Sequence, residues 1–194
     1  MKRRYLFVLL GLILLLFIGI TFGVNEYQTR QSFKLLAKTV GTLSIIDAKA
    51  NKLMLTDITQ TENIPATNGP TPELIERAML IKERGRKNVE EVEAELQAEA
   101  YEQLTIQLLK LSDQTKNAHI TSAFLPTKRN ILLVLNTKSR ALAALVSTKR
   151  DEKSKSATSY DALKAKAAWE AANESLSAYA QSHGYSAWYD SLIK

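Results

Sequence analysis

Two histidines, His119 and His183, are the residues best suited to proton transfer or metal ligation near neutral pH. Neither has a second histidine or a carboxylate three or four residues away, so neither belongs to an H-E-x-x-H or di-iron E-x-x-H helix. The carboxylates Glu90, Glu91, Glu93, Glu95, Glu99 and Glu102 are dense, but they spread around a helix instead of converging and read as a solvated face. The chain has no cysteine, which removes a thiol nucleophile, a thiolate metal site and a disulfide. Motifs of the G-x-S-x-G, P-loop and G-x-G-x-x-G kinds are missing from the sequence. Asn173, Glu174 and Ser175 have the form of a glycosylation acceptor. The expectation is a protein without a catalytic residue, metal or cofactor, acting by contact.

Residues that could make such contacts are basic or aromatic. The formal net charge of +6 is unevenly placed: from Asp113 to Lys155 there are nine basic residues against three acidic ones, whereas acidic residues outnumber basic ones by three from Thr71 to Ser112. Lys128, Arg129, Lys138, Arg140, Lys149 and Arg150 are therefore candidate contacts for an anionic surface or an acidic partner. Trp188 and Tyr189, in an unusually apolar tail, are candidates for docking a partner. The leading reading of that tail is a short helix folded back over the bundle, with the exposed docking site as its rival. No aromatic and basic interleaving of a nucleic-acid reader is present, so nucleic acid is not expected as a partner.

These residues must be held by something, and one stretch sets the frame. Tyr5 to Val24 is twenty residues without a charge, directly after Lys2, Arg3 and Arg4. As a helix it spans about 30 Å, the thickness of a bilayer's hydrocarbon core. A cleaved signal sequence is the competing reading. The run is longer than a typical signal core of about 7–15 residues, and Thr21 and Gly23 make a poor small-residue cleavage site. The positive flank predicts a cytoplasmic N-terminus and an extracytoplasmic body, as in a bacterial inner membrane facing the periplasm or exterior. Gly11, Gly19 and Gly23 lie on one side of this helix, and a small-xxx-small pair allows close approach of a second helix.

The remainder, residues 25–194, is rich in Ala, Leu, Lys and Glu and predicts helices. Leu36, Val40, Leu43, Ile46, Ala50 and Leu53 form an apolar stripe that continues the membrane helix, with Gly41 as its weak point. Three prolines and a glycine break the chain at the loop 61–72. A helix is expected from Thr71, bent or restarted near Gly85 to Asn88, with a stripe through Val92, Leu96, Ala100, Leu104, Leu108 and Leu111. Pro126 is expected to end a weak segment, and Thr127 to cap the next helix, which carries Ile131, Leu135, Leu142, Leu145 and Val146. A charged loop, 148–159, precedes a last long helix with Ala162, Trp169, Ala172, Leu176 and Tyr179 on its apolar side, widened by Leu163 and Ala167. Gly184 has the position of a C-cap.

The predicted architecture is all-α: one N-terminal transmembrane helix (residues 1–24 with the basic flank) followed by an extracytoplasmic antiparallel bundle of about four long helices (25–194). The expected function is that of a non-catalytic interaction subunit or assembly factor of a cell-envelope complex. Its expected partners are the lipid bilayer and either other envelope proteins or a second copy through the membrane helix. The alternative is an extracytoplasmic bundle that senses a small ligand held near Trp169 and Tyr179.

Overall fold

The computed structural model describes the backbone of residues 2–61, 89–150 and 159–193, and side-chain surroundings within 20–54, 94–150 and 161–193. The expected loop 61–72, the bend near Gly85 to Asn88, most of the charged loop 148–159 and the surroundings of Gly11 and Gly19 lie outside the described residues. Within them the chain is all-helical, with no strand. The elements are α1 (Lys2–Thr61), α2 (Val89–Asn117), a 3-10 turn (Ser122–Phe124), α3 (Leu125–Lys149), α4 (Ser159–Ser182) and α5 (Ser186–Ile193).

α1 runs unbroken for 60 residues, about 90 Å at the usual rise. Its expected stripe is the one that packs: Leu36, Val40 and Leu43 are fully buried, and Ile46 and Ala50 nearly so. Phe33, Ala37 and Ser32 extend this buried face toward the N-terminus. Ser32 is tolerated there because its hydroxyl donates to the Gln28 carbonyl at 2.9 Å and accepts the Thr121 N–H at 3.0 Å, leaving no buried polar atom unmet.

α2 and α3 pack antiparallel. The end of α2 meets the start of α3, where Ser112 Oγ donates to Asn136 Oδ1 and Lys128 Nζ reaches the Lys116 carbonyl. The start of α2 meets the end of α3, where Arg150 bridges Glu95 and Glu102. The α2 stripe is as expected at Leu104, Leu108 and Leu111, which are buried, but in the preceding turns Ala98 and Tyr101 are buried while Leu96 and Ala100 are only half-buried. Tyr101 fills the space because a tyrosine covers more apolar surface than an alanine one position away.

Pro126 does not end a helix; it occupies the first turn of α3, where the missing N–H has no intrahelical partner to lose. Thr127 is likewise not the cap. It is buried, and its hydroxyl shares a 2.8 Å hydrogen bond with Ser175 on α4. α3 packs on α2 and on α4, burying Ile131, Val134, Leu135 and Leu142. The span Ser122–Lys149 is by length and composition apolar enough to cross a membrane. Contacts on two sides account for that apolarity.

The face of α4 agrees with expectation at Ala172 and Leu176, which are fully buried, and at Trp169 and Tyr179, which pack half-buried against the core. It does not agree at Ala162, which is exposed. Leu163 is 69% exposed and Ala167 is exposed, so they do not widen the apolar side. The buried face is Ala165, Ala168, Ala172, Leu176 and Ala180, an alanine-rich strip that lets neighbouring helices come close. Gly184 ends this helix at φ +73°, and the Tyr185 N–H bonds back to the Ala180 carbonyl at 2.7 Å. That six-to-one closure is a Schellman motif. It turns the chain so that α5 folds back along α1.

Gly41 is a contact point. A Cβ built on it would sit 2.7 Å from the Leu192 carbonyl oxygen of α5. The residue that weakens α1 as an isolated helix is what allows α5 to lie against it.

Two substitutions test these glycines. Gly184→Ala should cost about 1–2 kcal/mol in denaturant unfolding, because an L side chain is strained in the left-handed region. Gly41→Ala should destabilise despite a gain in helix propensity of up to about 1 kcal/mol. Loosening of α5 should show as a red-shifted Trp188 emission and faster proteolysis of the tail.

Candidate functional site

The best-defined cluster of functional-type side chains is aromatic, at the end of the packed body nearest residues 20–30 of α1. Phe33 is fully buried and its ring lies 4.8 Å from Tyr179, 5.6 Å from Tyr185, 5.8 Å from Trp188, 6.2 Å from Tyr189 and 6.3 Å from Phe124. Tyr179 meets Phe124 edge-on at 5.1 Å and stacks on His183 at 3.9 Å. These spacings are those of favourable aromatic pairs. Four elements contribute rings, so the cluster is a joint.

Tyr189 belongs to this joint and is only 2% exposed, so its ring is not offered to a partner. Its hydroxyl donates to Asn173 Oδ1 at 2.9 Å. Burial, and secondarily the Asp190 carboxylate, push its pKa up to about 12. Trp188 is half-buried against Phe33. The tail therefore folds over the body. Asn173 and Ser175 are both engaged in hydrogen bonds between elements, so the acceptor-like triplet is used as packing chemistry.

The Tyr179 hydroxyl and the Thr121 hydroxyl are buried without a hydrogen-bond partner. Burial raises the Tyr179 pKa, and the Glu26 carboxylate adds to the effect. The Tyr179 ring packs against Phe33, Phe124 and His183. His183 Nδ1 lies 2.8 Å from Ser182 Oγ and 3.0 Å from the Tyr179 carbonyl, to which it donates in the tautomer protonated at that nitrogen, and His119 is exposed. Among the described residues no three His, Asp or Glu side chains converge on a metal-sized site.

The six basic candidates do not form one patch. Lys128 to Arg150 spans twenty-two residues of α3, about 33 Å. Lys138 Nζ donates to Asp47 Oδ2 on α1. Arg150 pairs with Glu102 at 2.9 Å and Glu95 at 3.2 Å, and the Glu102 hydrogen bond above all raises its pKa. Lys128 Nζ donates to the Lys116 and Ala118 carbonyls at 2.8 Å each, a cation closing the C-terminus of α2. Arg129 and Arg140 are exposed, and Lys149 is half-buried with an interaction of its own. Sequence distance alone could not separate these roles, because each depends on which helix lies opposite.

A groove of about 310 Å³ opens between α1 and α5. Ser44, Ile45, Ala48 and Leu192 line it, with Lys49 and Lys52 at its edge. Sequence reading missed it, since Leu192 is far from α1 in the chain. On the lower part of α1, Gly23 has open space around its Cα.

The Tyr189 hydroxyl yields a pH prediction. A phenol whose folded pKa is raised contributes stability that is fully present below about pH 10 and is lost as pH rises through about 12. Wild-type protein should lose about 2–3 kcal/mol more than Tyr189→Phe between those limits. Parallel urea titrations of the two proteins check it. A search of family models, curated proteins and solved structures finds no match to this chain.

Proposed function

We propose that the chain is a single-pass membrane protein whose antiparallel helical bundle stands outside the cytoplasm and binds protein partners, as a non-catalytic subunit or assembly factor of an envelope complex. The observation that carries this reading is the continuity of α1. Its second half supplies the core, whereas Ile20, Val24 and Tyr27, further down the same helix, are 56%, 51% and 63% exposed. An uncharged helical run of twenty residues, Tyr5 to Val24, suits an apolar solvent, and lipid is that solvent. Between the two lies a polar neck, Asn25 to Gln31, braced by the Glu26–Arg30 pair at 3.0 Å. Tyr27 is placed where an interfacial aromatic would sit. Lys2, Arg3 and Arg4 support a cytoplasmic N-terminus.

Binding in place of catalysis is supported by how the polar residues are spent. Asn173, Ser175, Lys138, Arg150 and Tyr189 all hold helices together. The alternative, a bundle that senses a small ligand, draws its support from the α1–α5 groove and its two lysines, not from Trp169 and Tyr179. That groove is open along α1, which suits a chain segment better than an enclosed molecule.

The absence of cysteine makes topology directly testable. In a bacterial host, Gln181→Cys should react with a membrane-impermeant maleimide from outside and Lys2→Cys only after permeabilisation. The chain should stay in the pellet on carbonate extraction. A pull-down from gently solubilised membranes should recover partners or a second copy, and recovery of a lone monomer would sink the interaction reading. Gly19→Leu with Gly23→Leu should leave insertion intact and reduce crosslinking within the membrane, because the larger side chains hold helix backbones apart.

A further inference from the structure

We propose that the end of the body nearest α1 residues 20–30 rests on anionic lipid headgroups, with Lys116 and Arg129 as the contacting cations and Leu125 between them. This rests on the membrane reading of residues 5–24 and adds a second, lipid-specific contact to it.

Position comes first. Two chain reversals among the described residues, 118–124 and 183–185, lie level with Ser32 and Phe33. Thr121 N–H bonds Ser32 Oγ, and Phe124 and Tyr185 meet the Phe33 ring. From Val24 to Ser32 is eight residues, about 12 Å of helix. The headgroup layer on one side of a bilayer takes up roughly 5–8 Å of that. The reversals therefore face the headgroups across a gap of less than one Debye length, about 8–10 Å at ordinary salt.

Charge comes second. From Ser112 to Asn130 the chain carries Lys116, Lys128 and Arg129 against Asp113, and from Asn25 to Lys34 it carries Arg30 and Lys34 against Glu26. The other reversal, Gln181 to Ser186, has no acid. Glu95, Glu99 and Glu102 sit at the opposite end of α2, so the described acids of that helix lie mostly away from the membrane side. Two of the near-end cations are already committed. Lys128 caps the α2 carbonyls, and Arg30 holds Glu26. Lys116 and Arg129 are exposed, and Leu125, 40% exposed, lies between them in sequence as the first residue of α3. An apolar side chain among cations suits the boundary between headgroup and acyl chain.

The test uses the full chain in proteoliposomes of phosphatidylcholine alone or with about 30% phosphatidylglycerol, the anionic component expected to attract cations. Ala123→Cys, at the exposed reversal, carries a fluorophore, and a headgroup nitroxide lipid is the quencher. Quenching should rise severalfold with phosphatidylglycerol and fall back at high salt. Lys116→Gln with Arg129→Gln should lower the docked-to-undocked ratio roughly fivefold per charge, while a label at Ala143→Cys, well up α3, should not respond. Quenching that ignores phosphatidylglycerol, or a double variant that keeps the full response, overturns the proposal. In that case the basic end faces an acidic protein. A chain that leaves the vesicles on carbonate treatment refutes the membrane reading itself, a result distinct from an inserted chain indifferent to lipid charge.

Discussion

Phe33 is the residue on which the packed body depends. Its ring lies within 6.3 Å of five other aromatic rings drawn from the 3-10 turn, α4, the Gly184 turn and α5. Each such pair contributes on the order of 0.5–1.5 kcal/mol beyond simple burial, so a single side chain of α1 gathers the parts of the chain that are latest in sequence. Ser32, beside it, ties in the turn between α2 and α3 through the Thr121 N–H. The two neighbours thus fix where these two described reversals stop along α1, eight and nine residues after the last residue of the apolar run.

That placement explains the economy of polar chemistry in the rest of the molecule. Small helices of this kind have little to hold their relative level along the axis, because apolar stripes slide with modest loss. Here discrete polar pairs set the level: Lys138 with Asp47, Arg150 with Glu95 and Glu102, Thr127 with Ser175, and Tyr189 with Asn173. Most of these side chains are at least partly exposed, so each ion pair adds little stability. Their value is geometric, since a pair made only at one register disfavours the others. These pairs engage two of the six basic candidates, Lys138 and Arg150, while Arg129 and Arg140, with Lys116, face solvent.

Legibility followed the range of the physics. The α1 stripe from Leu36 to Ala50 was readable because period-3.6 patterning is local and its buried residues are apolar except Thr39. The Gly184 cap was readable because only glycine takes φ +73° without strain. α4 was read on its larger side chains, Trp169 and Leu163, whereas the structure buries its alanines. Alanine is compatible with either face of a helix, so the preference is decided by how closely the neighbouring helix approaches. Gly41 was read as a flaw for the same reason: a glycine's partner, here the Leu192 carbonyl, is invisible in the local sequence. Pro126 and Thr127 were read as a stop and a cap, and their displacement by one turn came from Thr127 finding Ser175 instead.

The amino-acid sequence by itself determined an all-helical chain without thiols, the uncharged run from Tyr5 to Val24, the continuity of that run with the first core stripe and the basic bias of residues 113–155. Composition, backbone preference and periodicity act within a few turns, and all of these properties are set at that range. Tertiary structure alone decided which face of α2 and α4 is buried, that Tyr189 is core, that α5 lies on Gly41, and that a basic run in sequence becomes a capping lysine, two bridging cations and a few exposed ones spread over tens of ångströms. Those outcomes depend on the rotation and level of helices relative to one another, and only the long-range contacts around Phe33 fix these.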